Sequence, residues 1–233
     1  MSAMAADLYL VAGDPGRRGS GRDPLLAVIL AQLGMERPSV AYVGAASDDN
    51  RVFFLWIAAL LKEAGAGPVR LAALASRRAD PAKAHAVLQE ADLAFVSGGD
   101  VAAGMGILEQ SGAGGWLKEL HRAGKPFIGL SAGSIMLARS WVRWSDPEDD
   151  NSAEEFPCLG MAPLLCDTHG EKEDWLELKT LLRLARAPVG YGIPAGAALR
   201  VAADGSLAAL GKAVHRLGRR EGRVQRLADL PVL

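Results

Sequence analysis

The sequence predicts an α/β fold, with a mainly parallel sheet covered by helices on both faces. Three observations carry that expectation. Short, continuously apolar runs alternate with longer amphipathic ones through the first 130 residues, as strands buried on both faces and their crossover helices require. Several of the apolar runs end in glycine- or serine-rich turns. The length of 233 residues suits one large α/β domain, expected to span residues 1–233, better than two small ones.

The elements follow in order. Residues 7–13 (DLYLVAG) read as a buried strand running into a turn, and 24–34 (PLLAVILAQLG) as a helix closed by Gly34. A second strand is predicted over 39–46, a helix over 50–65, a third strand over 69–74 and a helix over 81–91. Residues 93–99 (LAFVSGG) form a fourth strand and 126–130 (PFIGL) a fifth. The acidic, turn-rich stretch 144–160 reads as an exposed loop or flap. Residues 172–186 are an amphipathic helix. The segments VGYGI, GAALRVAA and GSLAALGKAVHRL read as short closing strands, antiparallel at the sheet edge, and the polar tail from Glu221 as loosely packed.

Composition narrows the function classes. A net charge of −1 gives no basic field for nucleic acid and no strong charge for a membrane surface. No apolar run reaches the ~18 residues that a membrane span needs. Two cysteines, Cys158 and Cys166, make no disulfide framework. With no leader-like start, a cytoplasmic protein is expected.

The chemistry concentrates where strands end. In FIGLSAGS, Ser131 stands between Gly129 and Gly133, with a strand before it and a helix after it. A sharp turn there strains the central residue, and small neighbours relieve the crowding. A serine attacks only when a base takes its proton. Of four histidines, His85 and His121 read as surface or capping residues. His169, in LLCDTHGEKEDW, occupies a strand-end loop, and His215 lies late in the chain in an edge strand. On position His169 is the favoured base. In FVSGGD, Gly98 and Gly99 let backbone N–H groups approach an oxyanion. Either glycine, together with Ala132, is assigned to the oxyanion hole. Asp100, which follows them, reads as a helix cap or a substrate contact.

Taken together, FVSGGD, FIGLSAGS, a histidine just before GE, and YGIPAGAAL resemble the serine peptidase family that contains aspartyl dipeptidase (peptidase E) and cyanophycinase. The resemblance spans roughly residues 90–205. It implies a three-layer α/β/α sandwich similar to class I glutamine amidotransferases, and acyl transfer by Ser131 and His169 with no metal and no cofactor. It places the oxyanion glycines at Gly98 and Gly99. Many members carry a Glu in a G-I/L-x-E-G stretch, where this chain has Ala195. The family's other acid position, shortly after the nucleophile helix, falls on Asp146. Loss of a triad acid costs ~10⁴ in kcat. Three readings stay open: Asp146 or a flap neighbour such as Glu148 supplies the acid, the pair works as a slow dyad, or the chain is a weak relative that binds peptides.

The expected substrate is a small peptide or amide, acted on by a monomer or homodimer. An acidic substrate side chain calls for a cation, which Arg17, Arg18 or Arg22 could supply on the active edge. An α/β-hydrolase-type esterase would share the elbow and use His215 instead. A glutamine amidotransferase would need a cysteine where Ser131 stands.

Overall fold

The computed structural model describes residues 6–13, 23–76, 79–146 and 149–233. Five parallel strands form its centre: β1 (Leu8–Val11), β2 (Val40–Val43), β3 (Val69–Leu71), β4 (Leu93–Val96) and β5 (Phe127–Leu130). They lie in the order β1-β5-β4-β2-β3. Every residue of β1, β2 and β4 is buried, which explains why these strands read as unbroken apolar runs.

Side chains alternate between two cores. Leu8 and Leu10 enter one, Tyr9 and Val11 the other. Helices α1 (Pro24–Gln32) and α2 (Arg51–Ala64) cover the second face through Leu26, Ile29, Ile57 and Leu61. Helices α3 (Pro81–Glu90), α4 (Val101–Gln110), α5 (Ala113–Arg122) and α6 (Ala132–Leu137) cover the first, through Leu88, Leu108, Leu117 and Met136 among others. Each such side chain, fully buried, contributes about 1.5–3 kcal/mol. The result is the three-layer sandwich that the alternation predicts.

Helix starts follow from local chemistry. Asp23 caps α1 by accepting from Leu25 N and Leu26 N at 2.9 and 3.1 Å, with Pro24 at the first turn. Asn50 accepts from Phe53 N at 2.9 Å to start α2, and Asp80 before Pro81 starts α3.

The second half departs from the sequence reading in three places. The acidic stretch is not all loop: β6 (Ser140–Trp144) pairs antiparallel with β7 (Ala153–Pro157). Cross-strand ion pairs, Arg139 with Glu155 and Arg143 with Glu154, use the acids that made it look solvated. The closing strands also divide between two sheets. Strands β8 (Cys166–Thr168) and β9 (Val189–Ile193) pair in parallel in a separate sheet, next to helix α7 (Leu176–Leu184). Strands β10 (Ala198–Val201) and β11 (Leu207–Leu210) extend the main sheet antiparallel beyond β1, as expected. Strand β12 (His215–Arg220) returns to β9, and β13 (Arg223–Arg226) pairs with β12. The tail therefore does not pack loosely. Its Leu230 also bridges Val214.

Candidate active site

Strand β5 lies between β1 and β4, and its carboxyl end delivers Ser131. The Ser131 backbone has φ 52° and ψ −119°, a sparsely populated positive-φ conformation that costs about 1–3 kcal/mol for a non-glycine residue. Its N–H donates to Val11 O at 2.8 Å, which pins the turn to β1. The buried Ser134 hydroxyl reinforces the pin, donating to Gly129 O at 2.8 Å and Val11 O at 3.0 Å. The flanking glycines are required by contact. A Cβ on Gly129 would stand 2.8 Å from Gly133 O, and one on Gly133 would stand 2.1 Å from Val96 O. The Ser131 hydroxyl does not cap the helix that it begins.

The β4 turn faces this elbow. A Cβ on Gly98 would lie 3.2 Å from the Ser131 Cβ and 3.8 Å from its Oγ. Gly99 has φ 145°, and a Cβ there would meet Ala46 O at 1.8 Å. A side chain at Gly98 would crowd the serine, and one at Gly99 would clash with Ala46. Among the described residues the N–H groups of Gly98, Gly99 and Ala132 find no acceptor. Ala132 N is one of the open donors that begin any helix. Asp100 accepts from Ala103 N at 2.7 Å and so caps α4.

His169 follows β8. Parallel pairing with β9 places it beside Ile193, whose carbonyl accepts the His169 N–H at 3.4 Å. Its φ is 63°. The buried Cys166 thiol donates to Ser134 O at 3.8 Å and ties β8 to the elbow helix. Burial, followed by the charge of Asp167, holds that thiol well above its ordinary pKa, so it is a packing group and no nucleophile. Ser131 and His169 line two clefts in common. No hydrogen bond joins their side chains, and such bonds often tighten only with substrate bound.

The first cleft is a cavity of about 420 Å³ between the sheet, α1 and α2. The second is lined by four carboxylates: Asp100, Asp167, Glu173 and Glu177. Asp167 is 5% exposed. Burial, then the charge of Glu177, pushes its pKa up to about 7, against the hydrogen bonds that it accepts from Thr168 N and Leu178 N.

Asp146 stands apart from both clefts. It is exposed at the end of β6, where its N–H donates to Ser152 Oγ at 3.0 Å. Arg17, Arg18, Arg22 and Glu148 lie outside the described residues. His215 is engaged elsewhere, 3.2 Å from Asp229 and against the Trp175 ring, and lines neither cleft. His121 is buried and bonds Ala6 O at 2.8 Å, and His85 packs on Trp116.

Two acids escaped the sequence reading. Glu171 reaches the turn that lacks the expected Glu, accepting the Ala195 N–H through Oε1 at 2.6 Å. Asp167 lines the cleft from inside β8. Both sit two residues from His169, and that adjacency was the available signal.

Among the described residues no group of three or more His, Cys, Asp or Glu side chains is placed to hold a metal ion. No described helix is long and apolar enough to cross a membrane.

The arrangement is a sharp strand-to-helix turn on an open α/β sheet, and the comparisons agree with the fold. The sequence model of peptidase family S51 matches residues 10–208, so the chain belongs to that family. A crystal structure of a peptidase from an acI-B1 Actinobacterium superposes with a TM-score of 0.71 at 19% identity, covering 99% of this chain and 98% of that one. A putative peptidase E protein from Listeria monocytogenes EGD-e superposes with a TM-score of 0.59 at 18% identity, covering 96% of this chain and all of the other. At these identities the two structures show a common fold. No curated protein sequence matches the chain.

Proposed function

We propose that this chain is a serine-type peptidase or amidohydrolase for small peptides, with Ser131 as nucleophile and His169 as general base. The observation that carries this reading is the elbow itself. A serine in a strained positive-φ conformation, its hydroxyl not spent on the helix, shares two clefts with a histidine and lies beside the β4 turn, whose Gly98 and Gly99 N–H groups, like that of Ala132, find no acceptor among the described residues.

The chemistry follows. His169 takes the Ser131 proton as Oγ attacks the peptide carbonyl. The carbonyl oxygen gains charge, and N–H groups of Gly98 or Gly99 and of Ala132 receive it. The protonated imidazole then gives its proton to the leaving amine. Water repeats the sequence on the acyl-enzyme. No cofactor enters this route. In this reading Glu171 takes the orienting-acid role that Ala195 vacates, because its carboxylate is held at that residue's amide. Asp146 is the competing assignment.

Hydrolysis of a small-peptide library by the purified chain tests the reading. Ser131→Ala and His169→Ala are each expected to lower kcat/KM by about 10³ or more. Turnover that survives both substitutions would refute it.

A further inference from the structure

We infer that the 420 Å³ cavity beside Ser131 is a subsite for a bulky apolar substrate side chain, aromatic or branched aliphatic, flanking the scissile bond. This rests on Ser131 being the nucleophile. Helix α2 presents Phe53, Trp56 and Leu60 to the cavity, residues spaced so that they share one helical face. Phe53 and Trp56 stack with centroids 5.7 Å apart. Trp56 is 49% exposed and forms the outer lip. Leu26 of α1 and Leu130 of β5 line the cavity too. Its volume falls in the range of small-ligand sites, about 300–1,000 Å³.

The described lining, mostly apolar, suits the same occupant. Among the described residues no Lys or Arg lines the cavity. The Asp23 carboxylate on its wall is engaged in capping α1. A substrate carboxylate entering here would lose water and meet no described cation, whereas an apolar group loses nothing by leaving water. The exposed apolar face of a helix is ordinarily a cost to solubility. On α2 it continues into the wall of the cavity that holds the nucleophile.

The test is a matched dipeptide panel in which the residue on either side of the bond is Phe, Leu, Ala or Asp, run on the full chain. At one of the two positions kcat/KM for Phe or Leu is expected to exceed that for Ala and Asp by about tenfold or more. Trp56→Ala and Leu60→Ala should each shrink that preference several-fold. Leu55→Ala, on the same helix and turned to solvent, should keep it. A preference for Asp, a flat profile, or a preference unchanged in both cavity variants would overturn the inference while leaving the hydrolase reading intact. If no peptide is cleaved and a small fluorophosphonate fails to label Ser131, the hydrolase reading falls separately. Calorimetry with the Ser131→Ala protein then decides the subsite: tighter binding of Phe-containing than Asp-containing dipeptides upholds it, and the reverse or no binding overturns it.

Discussion

Ser131 carries a strained backbone that nothing in its own side chain requires. The strain is held by neighbours: Val11 O accepts its N–H, and Ser134 bonds both β1 and β5. Asp167 is the other residue held at a cost. The unfolded chain releases its proton near 3.8, and the folded state keeps it until about 7. Asp167 therefore favours folding fully below pH 4, and that contribution is lost as pH rises through 7. The swing is on the order of a few kcal/mol. In thermal melts the wild type should lose stability relative to Asp167→Asn as pH rises from 4 to 8. An unchanged slope in the variant would assign the effect elsewhere. Glu171 and Asp146 can be separated at this scale as well. Glu171→Gln should lower kcat by about 10²–10⁴ and alter its pH profile, whereas Asp146→Asn should leave both nearly as they are. The opposite result would move the acid role to Asp146.

The elbow was legible as an element because its requirements are local. Gly129, Ser131 and Gly133 are spaced as the turn demands, and the strand and helix around them follow from apolar patterning. Gly133→Ala should destabilise the fold by about 1–3 kcal/mol or more in urea unfolding, since its Cβ would press on Val96 O at 2.1 Å. A neutral effect would mean that the turn relaxes freely. The elements that were not legible depend on distant partners. Whether residues 153–157 form a strand depends on pairing with β6, and the same acids that form cross-strand ion pairs look like a solvated loop in one dimension. Likewise VGYGI carries no mark to say that it joins β8 and β12 rather than the main sheet. Nor could spacing show that Glu171 would fold back onto the Ala195 amide.

For the whole molecule, the parallel sheet sets where chemistry can occur. Ligands of open α/β sheets bind beyond the carboxyl ends of the strands. β1, β4 and β5 are adjacent, so the turns that follow them meet at one place. The second sheet adds what the first lacks, since β8 brings His169 to that edge and α7 supplies Glu177. Fold and family were readable from strand rhythm and four short stretches. The division of the site into an apolar cavity and an acidic cleft was not, because it arises where α1 and α2 on one side and β8 and α7 on the other converge around one serine. Whether Ser131 is an activated nucleophile is decided by intact mass after treatment with a small fluorophosphonate, for wild type, Ser131→Ala and His169→Ala. The wild type should take one adduct and Ser131→Ala none, and His169→Ala should label more slowly by orders of magnitude. A folded wild type that takes up no label, or a Ser131→Ala protein that labels as the wild type does, would contradict that role.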